Sequence, residues 1–354
     1  MIERATSESA NLRAAKKITN DAVDSSESRH LAQVVRDGLT AEKKSLPPWL
    51  FYDEEGSRLF VEITKLPEYY LGRAERSIFE KYGEDIIVQA QANDTGTAIS
   101  FAELGAGTAE KTQILLHRAA MMFGRVSFMA TDTSASALDI AVERLHREEP
   151  SVVVTPIAAK HEGALGAISE LPHRQFVMFI GSSIGNYVDA DARDLLTDIR
   201  QALLPGAALL LGTDLKKDPN VLVRAYDDAA GVTAAFNKNM LERLNRELSA
   251  HFDLSRFEHR AIWNEAASSI EMHLVSTVSQ IVAIDALGMQ VRFRRGESIH
   301  TESSVKYTEQ HVDSLLKSAD FSREISFYDD EKKFAVHVAR AGGAPALRDG
   351  TRVK

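Results

Sequence analysis

Apolar residues along this chain follow two different rhythms. Between residues 98 and 211, short apolar runs alternate with amphipathic stretches. The runs are 98–104, 126–131, 152–157, 176–180 and 207–211, each of strand length. The stretches between them, 110–123, 135–148, 162–170 and 190–204, carry helical spacing. Strands apolar on both faces, each followed by a helix, predict a parallel, doubly wound sheet. Upstream, Leu31, Val34, Val35 and Leu39 predict a short helix, and Pro47 and Pro48 predict an extended segment over 45–53. Helical periodicity resumes at Leu59, Phe60 and Ile63, breaks at Pro67 and returns over 75–87. After Asp214 the alternation stops. Helices are expected over 218–228 and 233–248, alternating strands at 270–274, 280–284 and 289–294, a helix over 308–319, and strands at 324–328 and 333–340.

Composition narrows the function classes. The 354 residues are 44% hydrophobic and 26% charged, ordinary for a globular protein and wrong for a disordered chain or a coiled coil. A net charge of -9 disfavours binding to a nucleic-acid backbone. With no cysteine, disulfides, thiol nucleophiles, Fe–S clusters and cysteine zinc sites are excluded. The eleven histidines show no His-Glu-x-x-His spacing, so no metal is expected. No apolar run reaches the ~18–20 residues of a membrane helix, and the N-terminus has no secretory apolar core. The expected location is the cytoplasm.

The first strand runs into Glu103-Leu-Gly105-Ala-Gly107-Thr-Ala-Glu110-Lys111. Glycine has no Cβ and tolerates positive φ, so this turn lets backbone approach a ligand closely. A dinucleotide fingerprint requires a third glycine where Glu110 stands, and a glutamate at the helix start repels a pyrophosphate. S-adenosylmethionine (SAM) has no phosphate and escapes that objection. Asp132, closing the second strand, occupies the place where either cofactor's ribose hydroxyls are bound. A βα turn without any ligand is the bland alternative.

From about Lys44 to Arg340 the chain resembles the SAM-dependent histidine Nα-methyltransferases of ergothioneine biosynthesis, which convert histidine to hercynine. The resemblance rests on Leu46-Pro-Pro, Phe51-Tyr-Asp53, Leu66-Pro-Glu-Tyr-Tyr70, 103–108, Gly181-Ser-Ser-Ile-Gly-Asn186, Leu211-Gly-Thr-Asp214, 225–236, Asn245-Arg-Glu-Leu248, Ile270-Glu-Met272 and Thr301-Glu-Ser-Ser304. It implies an α/β fold, a Rossmann-like class I methyltransferase sheet with a second α+β substrate-binding domain. The division expected is a flexible tail (1–27), an N-terminal helical part of the substrate domain (28–90), the SAM domain (91–214), an inserted substrate-binding region (215–305), a C-terminal helix and strands (306–341) and a tail (342–354).

At matching positions the resemblance implies cofactor contacts from Gly105, Gly107, Lys111 and Asp132. Tyr69, Asn186 and Tyr226 match residues that hold the α-carboxylate and α-amino group. Tyr52 matches a tyrosine near the methyl-accepting nitrogen, and with Asn186 it forms the expected catalytic pair. Glu302 and Ser304 match the imidazole-binding pair, with Met272 beside them. The chain departs from the family at Ala159-Lys160, where an acid reaching the adenine is usual; a backbone group or His161 is the expected substitute. The implied partners are L-histidine and its mono- and dimethyl forms, handled by a monomer with no nucleic acid or membrane.

Plainer roles compete. Tyr69 and Tyr70 also read as packing aromatics, Asn186 as a helix cap, Glu302 as a solvated strand residue and Met272 as core. A methyltransferase for tryptophan or another amino acid, and a non-enzymatic SAM-binding regulator, are the alternatives at the level of function.

Overall fold

The computed structural model describes residues 28–91 and 99–343. The tail expected at 1–27, all but Gly342 and Gly343 of the tail expected at 342–354, and the start of the first strand at Ala98 lie outside the described residues. The chain divides into two compact units.

The larger unit comprises Thr64–Tyr226, Ile262–Ile270 and the described residues from Ser303 onward. Its centre is a seven-stranded sheet in the order β11-β12-β5-β4-β1-β2-β3. In chain order the strands are β1 (Ile99–Leu104), β2 (Val126–Asp132), β3 (Val152–Ala158), β4 (Arg174–Phe179), β5 (Ala208–Asp214), β11 (Phe321–Tyr328) and β12 (Phe334–Ala341). The first five are parallel, whereas β12 runs antiparallel to both β5 and β11. This is the Rossmann-like class I methyltransferase sheet. Alternate residues take opposite faces. Ala102, Leu104, Val177 and Phe179 join a core with helices α6 (His161–Ser169), α7 (Asp189–Ala202) and α10 (Glu309–Ser318). Phe101 and Phe176 point the other way and meet edge to face at 5.5 Å. Helices α3 (Leu71–Gln91) and α4 (Thr112–Phe123) pack on each other, and α3 also lies along β11, β12 and β5. This packing puts α3 in the sheet unit, although a boundary at residue 90 would group it with the preceding helices. The helix α5 (Ala135–Glu148) packs on β2 and β3.

The strand β3 departs from the expectation of burial on both faces, because Val153, Thr155, Pro156 and Ala158 are exposed. It is the sheet's edge, with β2 as its one neighbour. An edge is where a proline, lacking an N–H, is tolerated within a strand.

The smaller unit holds the described residues up to Ile63, Asp227–Ala261 and Glu271–Glu302. It contains helix α1 (28–40), α2 (Glu54–Lys65, its last two residues in the larger unit) and α9 (Val232–Leu248), with a two-stranded ribbon of β8 (Gln280–Ile284) and β9 (Met289–Phe293). Segment 45–53 is not extended throughout. Pro48 opens a 3₁₀ turn, Pro48–Phe51, because its fixed φ suits a first helical position and the turn buries Leu50 and Phe51. Phe51 packs on Phe236 with ring centroids 4.6 Å apart. Asp53 then starts α2 by accepting the Gly56 N–H at 2.8 Å, and it also accepts from Asn239 of α9 at 2.7 Å. A Cβ on Gly56 would stand 1.6 Å from the Phe51 carbonyl oxygen, so only glycine fits there. Asn245 fastens the far end of α9, exchanging two 2.8 Å hydrogen bonds with the backbone of Phe252.

Three further strands, β6 (Phe257–Asn264), β7 (Ser269–Ser276) and β10 (Ser298–Val305), form a sheet in the order β10-β7-β6. The chain passes from one unit to the other within each of them. Apolar alternation points to β7; β6 has no counterpart among the expected strands, and β10 is touched only by the reading of Glu302 as a strand residue. The β10 sequence is mostly polar, yet Thr301, Glu302 and Ser304 are buried.

Strands β5, β12 and β11 are joined by one buried imidazole. Nε2 of His337 lies 2.8 Å from Thr213 Oγ1, and Nδ1 lies 2.7 Å from Ser326 Oγ. Burial, with help from the Arg323 charge, pushes the ring down to about 3. The unfolded chain therefore binds a proton that the folded chain refuses between about pH 6.5 and 3. Stability from this group is complete above that window and declines as pH falls through it, by at most about 3 kcal/mol at pH 4. His337→Gln should shrink the difference in Tm between pH 7 and pH 4. An undiminished difference would show that His337 is not the acid-sensitive group.

Candidate active site

A doubly wound sheet binds ligands beyond the carboxyl ends of its strands, where the strand order reverses. Here that point lies between β1 and β4, and the residues after both strands are built for close approach. Gly105 (φ 72°) and Gly107 (φ 53°) both adopt left-handed backbone, and an added Cβ would meet nothing at either. The loop is held by its neighbours and leaves this space open. The Ala106 N–H donates to the Thr131 carbonyl at 2.8 Å, Arg144 donates to the Thr108 carbonyl at 3.1 Å, and the Gly107 N–H donates to Asp132 Oδ2 at 2.8 Å. The other Asp132 oxygen accepts the Ser134 N–H at 2.8 Å, while Ser134 caps α5. Each carboxylate oxygen keeps a lone pair, enough for two vicinal hydroxyls. This edge therefore fits the ribose hydroxyls of SAM. Beneath it, burial pushes the Glu103 carboxyl up to about 8, even with Thr112 donating to it at 2.6 Å.

Lys111, at the start of α4, is ion-paired with Glu75 of α3. Glu75 has no exposed surface and also accepts the Gly181 N–H at 2.8 Å. A Cβ on Gly212 would lie 2.4 Å from Glu75 Oε1, so that glycine in the Leu211–Asp214 motif makes room for the carboxylate. Sequence reasoning missed Glu75. A glutamate inside an amphipathic helix reads as solvated, and only its α3 register among Ala74, Ile78 and Phe79 marks it as inward-facing.

At the departure from the family pattern, the Ala159 N–H donates to the Asp132 carbonyl and Lys160 stands exposed before α6. His161 follows, packed edge-on to Phe179 and tilted against Tyr187, whose hydroxyl lies 3.3 Å from Nδ1. Burial lowers the imidazole's proton affinity, with Asp132 partly opposing it, so a neutral ring is favoured beside the Asp132 edge.

The loop after β4 brings Asn186 to the end of a 3₁₀ turn, Ser183–Asn186. Asn186 is exposed and caps no helix; Val188 precedes α7 instead. Gly185 allows the turn to press against β10, since a Cβ would sit 2.9 Å from the Val305 carbonyl oxygen. In the same unit Tyr69 is half-buried, its ring centroid 6.4 Å from that of Tyr226 at the end of α8 (Pro219–Tyr226). The Tyr226 hydroxyl donates to Ser304 Oγ at 3.0 Å. Four of the expected substrate residues, Tyr69, Asn186, Tyr226 and Ser304, thus fall in the larger unit, together with every expected cofactor residue.

Behind them lies a buried charge cluster that sequence reasoning missed. Asp214 has no exposed surface. It pairs with Lys306 at 2.9 Å and with Lys217, and it accepts the Tyr70 hydroxyl at 2.9 Å. Tyr70 accepts in turn from Lys217 at 2.7 Å, so it is a hydrogen-bonding residue as well as a packing aromatic. Burial lowers Lys217 to about 8 against the opposing pull of Asp214, and burial raises Tyr70 strongly, keeping it a phenol.

Tyr52, Met272 and Glu302 fall in the smaller unit. The exposed Tyr52 ring stands edge-on to Phe60 and Phe236, both centroids 5.8 Å away. Met272 is fully buried on β7, and its carbonyl accepts the Thr301 hydroxyl at 3.0 Å. Glu302 is buried rather than solvated. Glu302 and Ser304 are two residues apart on β10, so their side chains leave the strand on one face.

Asp132→Ala should weaken SAM binding at least tenfold by calorimetry, through lost charge-assisted bonds and a loosened Gly107 turn. Unchanged affinity would move the ribose elsewhere. Lys160→Asp should leave affinity equal or tighter, and a large loss would give Lys160 a role of its own.

The chain matches the profile of the family described as "Histidine-specific methyltransferase, SAM-dependent" over residues 31–341. The histidine N-alpha-methyltransferase of Mycolicibacterium smegmatis is 44% identical over 313 residues, 87% of this chain and 94% of that one. Its namesake in Mycobacterium tuberculosis is 40% identical over 316 residues, 88% and 95% of the two chains. Ergothioneine biosynthesis protein 1 of Schizosaccharomyces pombe is 29% identical over 283 residues, 78% of this chain and 36% of that protein. The glycine turn, the Asp132 edge and the end-to-end likeness agree: the chain belongs to the SAM-dependent, histidine-specific methyltransferase family.

Proposed function

We propose that this protein trimethylates the α-nitrogen of L-histidine to give hercynine, the step that commits histidine to ergothioneine. The observation that carries the reading is 44% identity spanning 94% of a histidine N-alpha-methyltransferase. When bound, SAM supplies a methyl group already activated on a sulfonium. The protein's own task is then largely to place a neutral amine in line with that carbon, and positioning is worth up to ~7–11 kcal/mol.

In this reading Asp132 holds the ribose hydroxyls, Gly105 and Gly107 give the cofactor its space, and Lys111 faces its carboxylate. His161, neutral and flanked by Tyr187, takes over the adenine contact that Ala159 and Lys160 do not supply through an acid. Tyr69, Asn186 and Tyr226 anchor the α-carboxylate and α-amino group. Tyr52 stands near the accepting nitrogen, and the faces of Tyr52 and Tyr69 favour a product with permanent positive charge. No strong base stands among the side chains assigned to the accepting nitrogen, so the ammonium proton passes to water, with hydrogen bonding from Tyr52 as the alternative aid. Glu302 accepts a ring N–H of the imidazole, Ser304 serves the second ring nitrogen, and Met272 packs beside the ring. We further propose that the protein works as a monomer in the cytoplasm.

Incubation with SAM and each of the twenty amino acids, read by mass, tests the assignment. Histidine alone should gain one, two and three methyl groups; trimethylation of tryptophan in its place would overturn it. Glu302→Ala should lower kcat/KM for histidine about ten- to hundred-fold, matching a charge-assisted bond of roughly 1.5–3 kcal/mol. It should spare tryptophan, which no longer meets a buried carboxylate. Equal losses for both amino acids would make Glu302 structural.

A further inference from the structure

Lys306 follows β10 directly and has no exposed surface. An ammonium has three N–H donors and no acceptor, and burial obliges each donor to find a partner. All three do. Nζ lies 2.9 Å from Asp214 Oδ2, 2.9 Å from the Tyr226 hydroxyl and 2.9 Å from Ser304 Oγ. Tyr226 accepts from Lys306 and donates its own O–H to Ser304 Oγ at 3.0 Å. Ser304 therefore receives two donors, which fill both lone pairs of its oxygen. The one hydrogen-bonding capacity left to Ser304 is its own O–H.

We propose that Lys306 is a positioning residue that locks Ser304 as a hydrogen-bond donor, so that the site accepts only a neutral ring carrying an unprotonated nitrogen. This rests on the reading that Ser304 meets the substrate's imidazole. The neutral ring then has one N–H for Glu302 and one bare nitrogen for Ser304. The imidazolium has two N–H groups, and the second meets a proton on Ser304. The charged and titratable groups around Ser304 are Lys306 itself, Asp214 on β5, Lys217 beyond it, the phenols of Tyr70 before α3 and Tyr226 on α8, and Glu302 on β10. Lys217, at about 8, lies above the window in which imidazole titrates. A carboxylate such as Glu302 would by itself favour the imidazolium. The sign of the pH dependence therefore separates the two possibilities.

Calorimetric titration of the full chain with L-histidine, S-adenosylhomocysteine being present, from pH 7.5 to 5.5 reads that sign. With an ordinary imidazole pKa near ~6.5, affinity should fall roughly tenfold across the range. A triazolylalanine, whose ring stays neutral there, should bind with constant affinity and so report any change in the protein's own groups. Histidine affinity that stays level or tightens toward pH 5.5 would overturn the proposal while leaving histidine as the substrate. Histidine that neither binds nor turns over at any pH would instead overturn the functional reading and this inference with it. Lys306→Met provides a second arm, Lys217 and Tyr70 still covering Asp214. Its histidine affinity should fall about tenfold at pH 7.5 and lose most of its pH slope, because a lone pair on Ser304 is open again. A folded variant with the wild-type slope would make Lys306 merely structural, and if the variant does not fold the wild-type titration decides.

Discussion

A carboxylate with no solvent contact must be paired or take up a proton, and Asp214 is paired from three parts of the chain. Two ammonium groups and a phenol converge on its oxygens, from Lys306, Lys217 and Tyr70. Its backbone is used as well: the N–H donates to Ser182 Oγ at 2.9 Å, and the carbonyl accepts the Tyr307 N–H at 2.9 Å. The last residue of β5, one of the two outermost of the five parallel strands, thereby fixes the loop after β4, the segment before α3 and the exit of β10. Exchanging such a cluster for apolar residues is often neutral for stability, whereas removing one partner is costly. Its value here is geometric. The donors left over from pairing Asp214 are the ones that orient Tyr226 and Ser304.

The cofactor edge follows a different principle. It needs backbone without side chains, and Gly105 and Gly107 supply it through left-handed φ and open space. Gly185 and Gly212 are required for the opposite reason, because a strand carbonyl and the Glu75 carboxylate already fill the volume of a Cβ. Four glycines from three motifs thus do two jobs, one leaving room for a ligand and the other leaving room for the protein itself.

Much of the fold was legible because its signal is hydrophobic. The run at 280–284 and the helix at 135–148 appear with the bounds read from apolar spacing. The strand β10 was not legible, since Thr301, Glu302 and Ser304 are polar residues turned inward, and alternation of apolar residues cannot report a strand whose interior is polar. The same limit hid Glu75 and Lys306. A charged residue reads as solvated until its partners are in view, and those partners lie 36 residues away for Glu75 (Lys111) and 80 for Lys306 (Tyr226). Motif likeness reached Glu302 and Ser304, but not the ammonium that orients the serine.

Pro156 lies on the border of the sheet opposite β11, in a strand with a single partner. An open border is a template on which a second chain can add a strand, which is how many soluble proteins begin to aggregate. A prolyl nitrogen offers no donor to such a newcomer, so a copied strand would meet a gap in its ladder at that residue. One residue chosen for what it lacks thus helps keep a crowded solution of this protein from polymerising along its own sheet.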